Sequence, residues 1–217
     1  VHGKPLMQWH MEALAKAGHP DQLINTAWLG PQIEAHFGLN PDLPNGGRVH
    51  LRYSHEGKEF GYALETAGGI VRALPFLAPV FWVVAGDIYA PQFDFAPAIA
   101  KEFVRSDKLA HIWLVPNPAH NPKGDFGLSS EGLALNLPKT ATLFTFSTLA
   151  LYKKEFFAAA LTGMPEGNPQ GKAAPLAPLL RAAMDRGLVS ASLYTGAWTD
   201  VGTPERLRDL NQSPATP

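Results

Sequence analysis

The sequence predicts an α/β protein with a mostly parallel sheet and a second half rich in β-strands. Residues 81–89 (FWVVAGDIY) and 111–115 (HIWLV) are apolar runs of the kind that form buried strands. Helical patterns alternate with such runs at short spacing, which is typical of α/β folds. After Pro116 the segments become shorter and are separated by polar turns, which favours antiparallel strands.

The first predicted element is a helix over residues 5–17. Pro5 suits its first turn, Leu6 and Trp9 share one face with Ala13 and Leu14, and Gly18 ends it. The other elements of this half follow in order: a strand over 22–26, a helix over 31–37 ended by Gly38, an alternating strand over 49–54, a loop at 64–70 that opens a short helix, the strand at 81, a helix over 95–104 and the strand over 111–115.

The second half begins with three segments that resemble antiparallel strands. The predicted elements are strands within 124–128, 132–137 and 142–152, a helix over 153–161, a surface loop rich in Gly and Pro over 162–175, a helix over 178–186 and a strand pair within 189–201. Thr203 is predicted to cap a last helix, with Pro204 and Glu205 in its first turn. We expect a frayed tail from Ser213. The chain is interpreted as a single domain, 1–217, with halves 1–115 and 116–217.

The composition excludes several classes of protein. Eighteen basic and nineteen acidic residues give a net charge of −1, without the long basic run that a nucleic-acid-binding protein would carry. The absence of cysteine excludes disulfides and thiolate metal sites. No apolar stretch approaches the roughly 20 residues of a membrane span. We therefore expect a soluble, cytoplasmic monomer that binds neither nucleic acid nor membrane.

Two aspartates are the candidate catalytic and metal-binding residues. Asp87 ends the strand FWVVAGD, and Asp200 ends a second strand candidate in WTDVGT. Ligands of open α/β sheets bind beyond the carboxyl ends of the strands, and Mg²⁺ prefers one or two carboxylates together with phosphate and water oxygens. The alternative is that each Asp is an ordinary turn former or helix cap.

The segment LETAGGI, residues 64–70, is a candidate nucleotide-binding loop. Consecutive glycines allow a backbone to approach a base or phosphate, and the helix that follows offers free N–H groups. Thr66 could cap that helix. It is neither G-x-G-x-x-G nor a P-loop, and an ordinary glycine-rich helix start is the alternative.

Three motifs together resemble those of the sugar-1-phosphate nucleotidyltransferases. LETAGG, VAGD and WTDVGT occur in this order, and the resemblance extends along nearly the whole chain. The segments GKPLMQWHMEAL, NTAWLGPQIEAHFG, GDFGL and TFSTLALY are most similar to the bacterial N-acetylmuramate-1-phosphate uridylyltransferases of cell-wall recycling. Glucose-1-phosphate thymidylyltransferases are more distant relatives.

The resemblance implies a Rossmann-like three-layer fold and assigns roles to individual residues. UTP would bind at Glu65, Thr66, Ala67, Gly68, Gly69 and Gly86; Asp87 and Asp200 would hold Mg²⁺; and the sugar would lie against Gly124, Asp125, Phe126, Ser147 and Trp198. For Phe126 and Trp198, core packing is the alternative.

Two departures from the family pattern affect the interpretation. The family begins with a strand, a G-x-G-x-R loop around the triphosphate and a P-K segment, whereas this sequence begins at Val1-His2-Gly3-Lys4-Pro5, and Lys4 resembles a later lysine of the motif. We therefore hypothesise that the chain is N-terminally incomplete. The E-x-K-P segment of the thymidylyltransferases is also absent, and Leu137-Pro138-Lys139 is the nearest basic feature.

The function implied is transfer of a uridylyl group from UTP to N-acetylmuramate 1-phosphate, which yields UDP-N-acetylmuramate and pyrophosphate for peptidoglycan recycling. One alternative is a nucleotidyltransferase for another sugar 1-phosphate. The other is a non-catalytic nucleotide-sugar-binding or regulatory module that has this fold but lacks the triphosphate loop.

Overall fold

The structure, a computed structural model, describes residues 1–137 and 142–212. Predictions that concern Pro138-Lys139 and the tail from Ser213 lie outside these residues. The described part contains eight α-helices and twelve strands, with helices and strands mixed along the chain. The α/β class predicted from the sequence is confirmed.

The helices occur at nearly all the predicted positions. They are α1 (Leu6–Lys16), α2 (Gly30–Phe37), α3 (Glu56–Phe60), α4 (Glu65–Ala73), α5 (Pro97–Arg105), α6 (Ala159–Thr162), α7 (Leu176–Met184) and α8 (Pro204–Gln212). Thr203 caps α8 as predicted, because its hydroxyl oxygen accepts the N–H of Arg206 at 3.2 Å.

The strands divide into one large sheet and three small pairs. They are β1 (Asp21–Thr26), β2 (Asp42–Leu43), β3 (Gly47–Arg48), β4 (His50–His55), β5 (Val80–Val84), β6 (Ile88–Tyr89), β7 (Ala110–Val115), β8 (Phe126–Leu128), β9 (Ala134–Leu135), β10 (Leu143–Lys153), β11 (Val189–Leu193) and β12 (Thr199–Asp200). The large sheet has the order β11-β7-β10-β8-β9, with β5 also paired to β10.

The large sheet is mixed and not mostly parallel as predicted, because four of its five strand pairs in the described residues are antiparallel. β11 is parallel to β7, while the long strand β10 runs antiparallel to both β7 and β5. Consequently β5, β7 and β11 share one direction, and β10 is inserted among them in the opposite direction. The predicted antiparallel pairing of the second half is confirmed for β8, β9 and β10.

Helices cover both faces of this sheet and form the outer layers. In β10, Ala150 and Tyr152 point into one core with α4 and α7, whereas Leu149 and Leu151 point into a second core with α1 and α5. This alternation follows from the two-residue period of a strand. Burial on both faces explains why the central strands read as continuous apolar runs.

A wide gap separates β1 from β5. Both strands line one cavity of about 2150 Å³, together with residues of α1 and α4. Within the described residues, β1 pairs with β4 alone and β5 pairs with β10 alone, so each strand has one unpaired edge. Both faces of β5 pack on a core, Val83 on the first and Trp82 and Val84 on the second, but only Phe81 is fully buried, so the predicted burial on both faces holds only in part. The cavity exposes one side of β5 because no neighbouring strand covers it.

The open edges make a prediction for amide hydrogen exchange. Because backbone N–H groups of a strand point alternately to its two sides, about half of the amides in β1 and β5 should exchange at nearly unprotected rates. β7 is the internal control, since it is flanked by β10 and β11. Uniform slow exchange along β1 and β5 would show instead that their edges are covered in solution.

The remaining differences from the predicted elements lie mostly in the second half. The helix predicted over 153–161 is broken into the 3-10 helix Lys154–Phe157 and α6. β11 and β12 do not pair with each other, because β12 pairs with β6. The loop at 162–175 is not simply a surface loop, since Met164 and Asn168 are buried in it.

Candidate active site

The fold brings together the two segments that carry the candidate metal-binding aspartates. Asp87 lies in the turn between β5 and β6, and Asp200 is the last residue of β12. β6 and β12 pair antiparallel, with Asp200 opposite Ile88. The N–H of Val201 donates to the carbonyl oxygen of Asp87 at 2.7 Å. Residues 113 positions apart in the sequence (200 − 87) are thus neighbours in the sheet.

The two carboxylates have different surroundings. The Asp87 side chain is exposed, and no group in residues 1–137 and 142–212 donates a hydrogen bond to it. Asp200 is half-buried: its Oδ1 accepts the N–H of Gly202 at 2.7 Å and lies 2.8 Å from Nη1 of Arg206. His120 approaches the other oxygen, with Nε2 3.3 Å from Oδ2. Asp87 is therefore free to bind a ligand, whereas Asp200 is already neutralised.

These contacts set the protonation of Asp200. Burial alone would raise the pKa of its carboxyl group, but the Gly202 N–H, the Arg206 guanidinium and the nearby His120 outweigh it and hold the pKa below the ordinary value of 3.8. The carboxylate is therefore charged at neutral pH, as a metal ligand must be.

The ion pair of Asp200 makes a prediction for stability at low pH. A depressed pKa stabilises the fold above pH 3.8, and this contribution disappears as the pH falls through the lowered value. Arg206→Met should therefore unfold at a lower temperature than the wild type at pH 7, by an amount worth at most about 1 kcal/mol for so exposed a pair. The difference should vanish as Asp200 becomes protonated. Arg208→Met, on the same helix, is the control, and a difference that does not shrink as the pH falls below 3.8 would contradict this account of the ion pair.

The segment predicted to bind nucleotide is mostly helix. α4 begins at Glu65, whose φ is +60°, so Thr66 is its second residue and the prediction that Thr66 caps the helix is wrong. The N–H groups of Ala67 and Gly68 donate to the carbonyl oxygen of Ala174 at 3.0 and 3.2 Å. These two donors are thus occupied within the fold, contrary to the expectation that they are free for a ligand.

The two glycines of this segment allow close packing. A Cβ at Gly68 would lie 2.5 Å from the carbonyl oxygen of Lys172, and one at Gly69 would lie 2.5 Å from Oε1 of Glu56. Both glycines are buried inside α4. Close packing therefore explains them without a ligand, as the ordinary helix-start interpretation proposed, and their contact with nucleotide stays a prediction.

Other predicted residues line the cavity directly. Glu65, Thr66 and Gly86 lie along its wall with Asp125 and Phe126, so the predicted nucleotide and sugar sides share one space. Gly86 is exposed, and a Cβ there would meet nothing within 4 Å. Gly86 therefore leaves open space directly beside Asp87, unlike Gly68 and Gly69.

The residues predicted to line the sugar side, just before and at the start of β8, are fixed by close packing and hydrogen bonds. Gly124 has φ +68°, and a Cβ there would lie 2.8 Å from Oδ1 of Asn117. Asp125 accepts the N–H of Phe146 at 2.9 Å and the side-chain amide of Asn121 at 3.2 Å. Phe126 is buried in the core and also borders the cavity. For Phe126, the core-packing interpretation and the cavity-lining interpretation are therefore compatible.

Ser147 and Trp198 are not among the residues that line the cavity, but they are bonded to residues of the large sheet. Ser147 is fully buried, and its hydroxyl donates to the carbonyl oxygen of Trp113 at 2.7 Å. Trp198 is half-buried, packs on the second core and donates through Nε1 to the Ser147 carbonyl oxygen at 3.1 Å. Next to Ser147 in β10, the strand has a bulge between Phe146 and Ala150. Thr148 lies in this bulge with a φ of +63° and borders the cavity. The sugar-binding roles of Ser147 and Trp198 remain predictions.

Sequence reasoning missed three side chains near the aspartates: His10, His120 and Arg206. His10 is buried on α1 and donates through Nε2 to the carbonyl oxygen of Ile88 at 2.8 Å, which ties the turn of Asp87 to the helix. Burial lowers the pKa of His10, so the ring is neutral at pH 7. Arg206 lies close to the segment WTDVGT, and His10 lies within the quoted segment GKPLMQWHMEAL, but neither pattern indicates the contact that the side chain makes. The partners of the two histidines are set by the tertiary structure.

Residues 1–216 match the nucleotidyl transferase family. The N-acetylmuramate alpha-1-phosphate uridylyltransferase of Neisseria meningitidis serogroup B is 38% identical over 211 residues, which cover 96% of this chain and 84% of that protein. In the described part of the chain, no helix has the length and apolar character needed to cross a bilayer.

Solved structures support the same fold. A putative glucose-1-phosphate thymidylyltransferase from Bacillus anthracis, in complex with a sucrose, superimposes with a TM-score of 0.69 at 18% identity, covering 97% of this chain and 84% of that one. HddC from Yersinia pseudotuberculosis gives a TM-score of 0.65 at 19% identity, with coverages of 96% and 85%. These likenesses confirm the Rossmann-like nucleotidyltransferase fold. Because the match extends along nearly its whole length, the chain belongs to the nucleotidyl transferase family.

Proposed function

We propose that the chain transfers a uridylyl group from UTP to N-acetylmuramate 1-phosphate, forming UDP-N-acetylmuramate and pyrophosphate in the cytoplasm as part of peptidoglycan recycling. The observation that carries this choice of nucleotide and sugar is the 38% identity, over 96% of the chain, to a relative named for that reaction. The shared cavity at Glu65, Gly86 and Asp125 supports it, because both substrates must meet in one space.

The reaction is an in-line displacement. A phosphate oxygen of the sugar 1-phosphate attacks the α-phosphorus of UTP, and the new P–O bond forms as the bond to pyrophosphate breaks. Positioning and charge neutralisation supply most of the acceleration in such transfers. The residues of this chain would act by orientation: Glu65 and Thr66 beside the nucleoside, and Asp125 and Phe126 beside the sugar.

The aspartates fit Mg²⁺ by the chemistry of their donors. Mg²⁺ takes one or two carboxylates and completes its shell with phosphate and water oxygens, so a two-carboxylate site is sufficient. Among the described residues no group of three or more His, Cys, Asp or Glu is arranged to hold a metal. When bound, Mg²⁺ would neutralise the phosphate charges between Asp87 and Asp200.

Arg206 and His120 would then change partners. Both contact the Asp200 carboxylate, which must turn one oxygen toward the metal for the pair to act together. The guanidinium would stay beside the phosphates and add to their neutralisation, and the imidazole would offer them a hydrogen bond.

We also propose that one extended segment preceding Val1 fills the gap between β1 and β5. The cavity of about 2150 Å³ exceeds the roughly 300–1,000 Å³ of typical small-molecule sites, so a ligand alone leaves much of it unfilled. Two open strand edges border it, and an added strand would pair with both. α1, which follows Pro5, forms part of its lining, so a preceding segment has a short path into it.

The experiment is an assay of pyrophosphate release with purified protein, Mg²⁺ and UTP. N-acetylmuramate 1-phosphate is compared with the 1-phosphates of N-acetylglucosamine and glucose, and UTP with dTTP. The chain is assayed beside a form extended upstream of Val1. We expect the highest kcat/KM with UTP and N-acetylmuramate 1-phosphate. A preference for another sugar would contradict the sugar assignment, and binding without turnover in both forms would favour the non-catalytic binding module.

A further inference from the structure

Arg181 places a cation on the sugar side of the cavity. It lies within α7 and lines the cavity with Asp125 and Phe126. Its guanidinium carbon is 4.9 Å from the centre of the Phe126 ring. Nη1 donates to Oδ1 of Asn136 at 2.7 Å, and Nη2 donates to the Asp125 carbonyl oxygen at 3.5 Å. Arg181 thus contacts two of the residues predicted to bind the sugar.

The charge of Arg181 has no anionic partner in the described part of the chain. No carboxylate there lies within 4.0 Å of its guanidinium nitrogens. The nearby carboxylates have other hydrogen-bond partners: Asp185 accepts the Asn136 amide at 3.0 and 3.2 Å, and Asp125 accepts Asn121 and the Phe146 N–H. The contacts of Arg181 with Asn136 and Asp125 are therefore to neutral oxygens. A half-buried cation with only neutral partners favours an anion in the adjoining space.

The proposed substrate carries such an anion away from its phosphate. N-acetylmuramate differs from N-acetylglucosamine by a lactyl ether, which ends in a carboxylate. A guanidinium binds a carboxylate through two parallel N–H···O bonds, and Arg181 has donors left after its two contacts. Arg52, another cation that lines the cavity, also lies over an aromatic ring, that of Phe76 at 4.4 Å, but it is exposed on β4, whereas Arg181 is half-buried.

We infer that Arg181 binds the carboxylate of an acidic sugar 1-phosphate and thereby selects it over neutral sugar phosphates. The inference rests on the proposed function, because it assumes that the sugar lies beside Asp125 and Phe126. It assigns the sugar selectivity to one side chain, distinct from the aspartates that serve the transfer itself.

The test compares two substrates in Arg181→Gln. Loss of a charge-assisted pair should lower kcat/KM for N-acetylmuramate 1-phosphate about 10- to 100-fold and leave N-acetylglucosamine 1-phosphate within about threefold of the wild type. Arg181→Lys keeps the charge but not the planar pair of N–H donors, so its kcat/KM for N-acetylmuramate 1-phosphate should lie between those of the wild type and Arg181→Gln. Arg186→Gln, an exposed change two residues after α7, is the matched control and should alter neither value. Melting temperatures identify any variant that fails to fold.

The outcomes separate this inference from the proposed function. An equal loss on both sugars would mean that Arg181 only supports the fold, and would overturn the inference while the transfer reaction stands. If no sugar phosphate is turned over, calorimetric titration of N-acetylmuramate 1-phosphate into wild type and Arg181→Gln still tests it: weaker binding by the variant supports the inference, and equal binding overturns it.

Discussion

Asp87→Asn should abolish nucleotidyl transfer and leave the fold intact. Asp87 is exposed and makes no side-chain hydrogen bond among the described residues, so its replacement costs no internal contact. The amide removes the negative charge that a divalent cation requires. We expect a loss of at least about 10²-fold in kcat, as for other preorganised electrostatic groups, with an unchanged melting temperature.

Asp200→Asn should lose activity to a similar extent but also some stability. Its carboxylate is paired with the Arg206 guanidinium and contacts the His120 ring, and the change removes the negative charge that both side chains face. Asp94→Asn is the matched control, because Asp94 is exposed and only seven positions after Asp87 (94 − 87). The measurements are pyrophosphate release at saturating UTP and thermal unfolding. Undiminished turnover in either variant would remove that aspartate from the metal site.

Gly68→Ala should destabilise the protein by about 2 kcal/mol, and Gly68→Val by more. The new Cβ would lie 2.5 Å from the Lys172 carbonyl oxygen and 3.1 Å from the Ala174 nitrogen, both backbone atoms that move only with their loop. Overpacking of this kind costs about 1–3 kcal/mol and outweighs the gain in helix propensity from replacing glycine. In a chain of this size the melting temperature should fall by about 4–8 °C.

Gly86→Ala is the comparison that separates packing from ligand contact. A Cβ at Gly86 would meet nothing within 4 Å, so we expect no loss of stability. If nucleotide approaches this turn closely, the KM for UTP should rise in Gly86→Ala alone. A higher KM in Gly68→Ala without loss of stability would instead restore the interpretation that Gly68 contacts nucleotide.

Local sequence pattern located most elements but not their partners. The strands at 81 and 111–115 were predicted from runs of apolar residues, because burial on a sheet leaves that signature in the chain. The pairing of β12 with β6 leaves no such signature in the sequence, because both strands are two residues long and their contact depends on how distant segments pack. For the same reason β11 and β12 were predicted to pair with each other, since they are neighbours in the sequence.

The loop at 162–175 shows how composition misleads. Its glycines and prolines correctly indicate irregular backbone, but not where that backbone lies. The side-chain amide of Asn168 donates to the carbonyl oxygens of Gly68 and Lys172 at 3.1 and 2.9 Å, and Ala174 accepts two N–H groups of α4. These bonds bury part of the loop and occupy the helix start that was expected to be free.

Within the candidate site, sequence reasoning singled out the acidic residues as candidates and missed the basic ones. A strand that ends in Asp carries a local signal, and Asp87 and Asp200 share it. His120 is 80 residues from Asp200 (200 − 120), and Arg181 is 55 residues from Phe126 (181 − 126), so only the fold shows these contacts. Selectivity for the sugar, if Arg181 sets it, is therefore hidden from the motifs that identify the family.

The most direct test of the proposed reaction is identification of its product. UTP, N-acetylmuramate 1-phosphate and Mg²⁺ are incubated with the protein, in this form and extended upstream of Val1, and the nucleotide products are analysed by mass spectrometry. We expect UDP-N-acetylmuramate and an equal amount of pyrophosphate, and neither in the Asp87→Asn variant. Absence of UDP-N-acetylmuramate from both wild-type forms, or its undiminished formation by Asp87→Asn, would contradict the account.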